Sequence, residues 1–230
     1  MATSGTTAFN LDLTEVVEEA FERCGAELRT GYDLKTARRS LNLLFADWAN
    51  RGINLWTVEQ GSIPLVTGTG TYDLPADTVD LLEHVIRTGA GVASTQADLN
   101  ITRISISTYS TIPNKLTQAR PIQVYINRQA PVPNITVWPI PDSSTTYTFV
   151  YWRLRRIQDA GSGVNTMDIP FRFLPCMVAG LSYYLSMKLP GGLERMQMLK
   201  MQYDEAWDFA STEDREKAAV RFVPRQQFIS

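Results

Sequence analysis

The 230-residue chain has 44% hydrophobic residues, 20% charged residues and a formal net charge of −2. This composition is typical of a globular protein, and the length allows one large domain or two small ones. The near-neutral charge argues against a protein that wraps nucleic acid by bulk basic charge. Residues 1–10 lack a signal-peptide pattern, and no uncharged apolar run reaches the roughly 18 residues of a membrane span. We therefore expect a soluble protein made in a cytoplasm.

The N-terminal part of the sequence predicts two amphipathic helices. The first covers residues 11–24, where apolar residues recur at intervals of three and four and either Asn10 or Asp12 can cap the start. The second begins after Asp33 as its N-cap and ends at Gly52. A short link joins the two helices, so that they form an αα-hairpin with an apolar stripe on each helix.

The residue pattern changes beyond the second helix, where short runs of β-branched and aromatic residues alternate with turn residues. We predict roughly six to eight short strands over residues 53–157, and the prolines of this region favour antiparallel pairing. One predicted hairpin joins residues 62–66 to residues 71–75 through a glycine-containing turn. Residues 105–112 are ambiguous between a short helix and a loop.

Two further helices are predicted near the C-terminus. Residues 171–189 are apolar on nearly every side, which is typical of a central helix wrapped by others, and Asp168 is its predicted N-cap. After a Pro-Gly-Gly break, a long amphipathic helix begins near Leu193 and is expected to pack on the central one. Its predicted buried stripe consists of Leu193, Met196, Lys200, Tyr203, Trp207 and Ala210.

These elements predict an α+β fold, in which N- and C-terminal helical hairpins form a helical bundle and an antiparallel β domain is inserted between them. The predicted parts are an N-terminal helical hairpin (1–52), a β-rich insert (53–157), a C-terminal helical pair (158–218) and a C-terminal arm (219–230).

Residues that carry enzyme or metal chemistry are scarce. Cys24 and Cys176 fall on predicted apolar helix faces and are better explained as small buried side chains than as a disulfide. The single histidine, His84, is interpreted as a surface or packing residue. One histidine and two separated cysteines do not make a zinc site, and no phosphate-loop, nucleophile-elbow or zinc-protease motif occurs. We expect no catalytic residues, no metal and no cofactor.

Two features leave other functions open. A group of aromatic residues in the β insert either forms a stacking surface for a sugar or a single-stranded nucleic acid, or belongs to the sheet core. The group consists of Tyr125, Trp138, Tyr147, Tyr151 and Trp152. Carboxylate pairs such as Asp204 and Glu205 admit a cell-wall hydrolase, although they lie on a helix face that carries charge in any case.

The C-terminal arm combines apolar and basic side chains around Pro224. Two phenylalanines and several β-branched residues are not typical of a chain end that only contacts water. Such a segment either packs on its own domain or docks on a partner as an extended strand or hook.

Three stretches carry a resemblance to a known family. They are TARRSLN to RGINLW within residues 36–56, the group IPNK, RP and WPIP within residues 112–141, and YDEA at residues 203–206. In this arrangement the chain resembles the head-to-tail adaptor proteins of short-tailed bacteriophages, also called tail tubular protein A or head completion proteins.

The resemblance implies a structural virion protein without enzymatic activity, located at the portal vertex. It would be one wedge of a twelvefold ring that joins the portal to the tail nozzle, and a monomer is expected for the free subunit. DNA would pass through the ring without sequence-specific binding, which suits a mildly acidic protein. The helical domain would form the ring body, the β region would meet the tail, and the C-terminal arm would reach the portal. No membrane is involved.

Two sets of site residues follow from the resemblance. The arm residues expected to contact the portal are Val220, Arg221, Phe222, Pro224, Arg225 and Phe228. A ring joins two different faces of each subunit, so opposite charges are expected on those faces. The candidates for these charge pairs are Arg38, Arg39, Arg51, Glu18, Glu22, Asp204 and Asp208.

Overall fold

The computed structural model describes residues 3–29, 31–52 and 55–215. The chain divides into two compact units. The helical unit contains the described residues up to Leu44 and from Ala160 onward, and the β unit contains Phe45–Asp159. The mixed α+β fold, with helices at both ends and a β domain inserted between them, is confirmed. Within the described ranges, no helix is long and apolar enough to cross a membrane.

The first helix, α1 (Leu13–Arg23), begins with a capping box. The Asp12 carboxylate accepts a hydrogen bond from the Glu15 backbone N–H, the Glu15 carboxylate accepts one from the Asp12 backbone N–H, and both distances are 2.9 Å. This exchange satisfies two of the donors that a helix start leaves without partners. Of the two predicted caps, Asp12 is the one used, and the predicted apolar stripe is buried.

The second helix, α2 (Gly31–Asn50), starts earlier than predicted. The prediction of Asp33 as N-cap is wrong, because this residue lies inside the first turn, where its negative charge interacts favourably with the helix dipole. The boundary between the two units falls within α2, after Leu44. In the helical unit, the buried face of α2 is formed by Ala37, Ser40, Leu41 and Leu44.

The β unit has eight strands among its described residues. They are β1 (Val58–Pro64), β2 (Thr71–Asp73), β3 (Thr78–Thr88), β4 (Ala97–Asn100), β5 (Thr102–Ile104), β6 (Gln123–Asn127), β7 (Asn134–Trp138) and β8 (Tyr147–Arg155). One sheet has the order β1-β8-β3-β4 and the other the order β2-β7-β6-β5. The pairs of these strands are antiparallel except β5 with β6, which is parallel. A short helix, α3 (Ile106–Ser110), resolves the ambiguous region.

The predicted hairpin between residues 62–66 and 71–75 is wrong. Its turn exists, with the Thr69 N–H donating to the Val66 carbonyl at 3.0 Å. However, β1 pairs with β8 in one sheet and β2 pairs with β7 in the other. The chain therefore changes sheet at a turn whose local sequence is also suited to a hairpin.

Side chains from both sheets form one hydrophobic core in the β unit. Its buried members are Leu65, Leu74, Leu81, Ile86, Val124, Ile126, Ile135, Val137, Tyr147, Phe149 and Tyr151. In β6 and β7 every second residue is buried, as expected for strands with one face on a core. Two sheets that share a core in this way make a β-sandwich.

The C-terminal part of the helical unit contains α4 (Leu174–Ser186) and α5 (Met196–Glu213). Most residues of α4 are buried, which confirms the predicted central helix, and α4 packs against both α1 and α5. The prediction of Asp168 as its N-cap is wrong. A 3₁₀ turn, Phe171–Phe173, precedes α4, and Pro175 lies in the first turn of α4, where its missing N–H costs little.

The buried stripe of α5 is offset from the prediction. Tyr203 and Ala210 are buried as predicted, but Leu199 is buried in place of Lys200. Leu193 lies before the helix and is 67% exposed. The Pro-Gly-Gly break is followed by a 3₁₀ turn, so α5 starts later than the apolar pattern indicated.

Candidate interaction surfaces

The outer face of α1 is acidic. Glu15, Glu18 and Glu22 are exposed and lie on the side of the helix that faces away from its buried apolar stripe. Glu15 takes part in the capping box, and Glu19 is paired with Arg23 at 2.8 Å. Glu18 and Glu22, which are one turn apart, have no ion-pair partner within the described part of the chain. Both predicted acidic residues of α1 are therefore available to an external cation.

A groove with an apolar floor runs beside this acidic face. Its volume is about 420 Å³, its floor is formed by Leu174, Pro175 and Val178 of α4, and the α1 glutamates form one wall. A second depression of about 460 Å³ shares Arg23 and Pro175 with it and extends to Glu205 and Phe209 of α5. The Arg23 charge is already neutralised by its ion pair with Glu19. We call the two together the acidic groove.

The acidic groove was missed by the sequence reasoning, because its walls come from helices that are far apart in the sequence. A usable signal was present in α5, where Met198, Met201 and Phe209 interrupt the charged face. These three side chains are 47%, 65% and 69% exposed. Exposed apolar residues of this kind are typical of contact surfaces when they lie beside a groove, and Phe209 does so.

The outer face of α2 in the helical unit is basic. Lys35, Arg38 and Arg39 surround a shallow depression together with Leu43, which is 55% exposed. The Arg38 guanidinium donates to the Gly161 carbonyl at 3.0 Å. Two helices of the same unit thus expose opposite charges, α1 negative and α2 positive.

Lys188 lies close to this basic face. Its Nζ donates to the Ser40 Oγ at 2.6 Å. Burial, with a smaller contribution from the positive charge of Arg39, lowers the pKa of Lys188. Lys188, two residues beyond the end of α4, is thus joined to α2 by this hydrogen bond.

The remaining predicted charges lie elsewhere. Arg51 directly follows α2 in the β unit and is paired with Asp47 at 2.8 Å. Asp204 and Asp208 are exposed on α5, one turn apart. The predicted interface residues therefore form separate charged faces rather than one cluster.

The predicted portal-binding residues of the arm lie outside the described residues. They are Val220, Arg221, Phe222, Pro224, Arg225 and Phe228. At the C-terminal end of α5, its C-cap residue Asp214 forms an ion pair with Arg172. The neighbouring Phe171 ring meets Phe9 edge-on, with 6.2 Å between centroids, and Phe9 lines the acidic groove. Contacts through these residues therefore connect the end of α5 with the groove.

A comparison with protein families decides the identity. The SU10 adaptor protein family matches residues 11–225. The chain belongs to this family of bacteriophage adaptors. The match spans residues of both the helical unit and the β unit. The adaptor is a structural, non-enzymatic kind of protein and a virion component that interacts with other virion proteins. A comparison with curated proteins finds no match.

The histidine and the two cysteines of the adaptor are packing residues. His84 stacks on Phe149 with 6.0 Å between centroids, and burial lowers its pKa. Neither of its ring nitrogens has a hydrogen-bond partner among the residues that the structure describes. It is a packing residue, as interpreted from the sequence. Cys24 and Cys176 are buried thiols that are not joined in a disulfide, which confirms the prediction of small buried side chains. Over the described ranges, no group of three or more His, Cys, Asp and Glu side chains is arranged to hold a metal.

The aromatic residues considered for stacking do not form one surface in the adaptor. Tyr147 and Tyr151 are buried in the sandwich core. Trp138 is half-buried and donates its indole N–H to the Asn114 carbonyl at 3.1 Å. Tyr125 stacks on Tyr109 with 5.8 Å between centroids. The group is divided between the core and local contacts, which removes most of the support for a sugar- or nucleic-acid-binding surface.

Proposed function

We propose that this adaptor forms the head-to-tail ring of a short-tailed bacteriophage, where it joins the portal to the tail nozzle and forms part of the DNA ejection channel. The match to the adaptor family over residues 11–225 carries the proposal. The ring has twelve copies, and the free subunit is a monomer that assembles on its template. The chain carries a small negative net charge, which disfavours tight binding of the passing DNA.

Opposite charges on two helices support this mode of assembly. In a ring, one face of a subunit meets a different face of its neighbour. Arg38 and Arg39 of α2 are proposed to meet Glu18 and Glu22 of α1 in the next subunit. Exposed ion pairs contribute only about 0–1 kcal/mol each, so a template that holds the subunits together is needed.

Further charges are assigned to the same contact. Asp204 and Asp208 are exposed on α5 and add two negative charges. Arg51 is a weaker candidate, since Asp47 already neutralises it. The helical unit forms the ring body in this arrangement, and the β unit meets the tail.

The C-terminal arm is proposed to bind the portal. Its phenylalanines and arginines around Pro224 are suited to an extended segment that inserts apolar side chains and pairs with acidic groups. This assignment is tested by sedimentation with the portal ring of the same phage. Three chains are compared: the full-length protein, a chain that ends at Ala218, and a full-length control whose residues 219–230 are in scrambled order.

We expect the full-length adaptor to sediment with the portal at about one copy per portal subunit, because a symmetric ring repeats one contact. The truncated and scrambled chains should stay in the supernatant. Binding of the truncated chain at the full-length level would exclude the arm as the portal contact. If no chain binds, the portal proposal itself is wrong.

A further inference from the structure

The acidic groove has the properties of a docking site for a basic, apolar segment. Its floor consists of Leu174, Pro175 and Val178. Glu18 and Glu22 line one side and Glu205 the other, and none of the three has an ion-pair partner in the part of the chain that the structure describes. Such a surface favours an occupant with apolar anchors and positive charges.

The chain itself contains a segment of this chemistry. Residues 216–230 carry Lys217, Arg221 and Arg225 against the single acidic side chain Glu216, and five large apolar residues lie between or beside these charges. We propose that, in the free subunit, this segment docks in the acidic groove of its own chain.

The end of the described chain lies in a suitable place for this docking. Asp214 at the end of α5 pairs with Arg172, and the neighbouring Phe171 contacts Phe9 of the groove. Fifteen extended residues span about 50 Å, whereas the 11 residues of α1 extend over about 16 Å. The segment is therefore long enough to enter beside Phe9 and to follow α1 without a second copy.

Docking would regulate assembly. Glu18 and Glu22 cannot contact the arm of their own chain and the arginines of a neighbouring subunit at the same time. A docked arm therefore blocks the ring contact, and a portal that captures the arm exposes these carboxylates. This consequence for assembly rests on the proposed function, whereas docking itself is a property of the isolated subunit.

Docking is tested with a spin label on the arm of the full-length protein. The native cysteines are buried, so a nitroxide reagent modifies the new thiol of Gln226→Cys selectively. Electron paramagnetic resonance of the dilute, portal-free protein then separates immobilised from mobile label. The test variant is Glu18→Lys/Glu22→Lys. The control is Glu27→Lys/Glu194→Lys, which makes the same change in net charge at exposed positions that do not line the groove.

We expect an immobilised component in the parent and in the control, and a ratio of docked to free arm about tenfold lower in the groove variant. A fully mobile label in the parent would overturn the proposal, and so would an equal response of the two variants. Immobilisation that rises with protein concentration would assign the groove to the arm of a second copy. Because no portal is present, a negative result leaves the portal proposal intact, and failed portal binding leaves docking intact.

Discussion

Gly180 of α4 lies so close to Leu44 of α2 that a Cβ atom at position 180 would be 2.8 Å from the Leu44 Cδ2. Tyr203 of α5 approaches the same point, with its Cε2 at 2.9 Å. Leu44 and Tyr203 are both buried. Three helices of the helical unit thus converge where there is room only for a hydrogen atom, and glycine permits this approach.

Gly180→Ala should therefore destabilise the helical unit. Alanine is the better helix former by about 1 kcal/mol, but the overlap with Leu44 forces a shift in a packed core, which costs about 1–3 kcal/mol. We expect a lower urea midpoint, measured by circular dichroism. The control is Gly31→Ala, since a Cβ there meets no atom of the described residues within 4 Å. Equal midpoints for the Gly180 variant and the parent would contradict the packing argument.

Reversal of the basic face of α2 should prevent ring formation. In Arg38→Glu/Arg39→Glu, carboxylates would face the Glu18 and Glu22 carboxylates of the neighbour, so repulsion replaces attraction. We expect few copies per portal ring in sedimentation. Adding Glu18→Arg/Glu22→Arg to the same chain should restore ring formation, because the opposite charges are exchanged between the two faces.

The matched control for this reversal is Arg29→Glu/Lys200→Glu. It makes the same change in net charge at exposed positions of the helical unit outside the basic face. Full occupancy of the portal by this control is expected. If the charge exchange fails to restore binding while the control binds, the proposed pairing of α1 with α2 is wrong.

The stability of the β unit should depend on Asp77 above pH 4. A hydrogen bond from the Arg153 guanidinium holds the pKa of Asp77 below its ordinary value of 3.8. Because the folded-state pKa is the lower one, the stabilisation is present above the unfolded-state value and is lost as the pH falls through the folded-state value. Asp77→Asn should lower the free energy of unfolding by about 1 kcal/mol at pH 7, and by less at pH 3.

This pH dependence is measured by urea unfolding at both pH values. Asp73→Asn is the control, because Asp73 is exposed on β2 and has no side-chain ion pair among the described residues. We expect it to unfold like the parent at both pH values. A constant difference between Asp77→Asn and the parent from pH 7 to pH 3 would show that the Asp77 charge is not the cause.

Both thiols should be inert in the folded protein. Cys24 and Cys176 are buried, and burial raises the pKa of Cys24 to about 11. Since the thiolate is the reactive species, a colorimetric thiol reagent should detect almost no thiol at pH 8 and two thiols in denaturant. Ser4→Cys, at an exposed position, is the positive control. Rapid modification of the folded parent would contradict this prediction.

Local signals predicted much of the fold, and non-local contacts account for most of what was missed. The cap at Asp12 and the burial of α4 follow from neighbouring residues and from periodicity. The prediction of Asp33 as an N-cap was wrong because a residue suited to an N-cap also suits the first helical turn. The prediction of Asp168 as an N-cap was wrong because a 3₁₀ turn lies between this residue and α4.

The pairing of β1 with β8 was outside the reach of local patterns. Val58 and Leu154 are opposite each other in the sheet. They are far apart in the sequence, and no single turn joins their strands and indicates the pairing. The acidic groove has the same origin, since α1 and α4 meet only in the folded chain. In contrast, the charges of Glu18, Glu22, Arg38 and Arg39 could be placed on exposed helix faces from their spacing alone.

The pairing of β1 with β8 also determines how the β unit responds to mechanical load. Val58 begins β1 and Leu154 lies near the end of β8, so both are at the same end of the antiparallel ladder. Tension applied through these two residues would therefore break the hydrogen-bonded pairs one after another. Glu59 accepts hydrogen bonds from Arg155 at 2.6 Å and from Arg153 at 2.9 Å at this same end of the ladder. A single carboxylate thus fastens the two strands at the point where such peeling would begin.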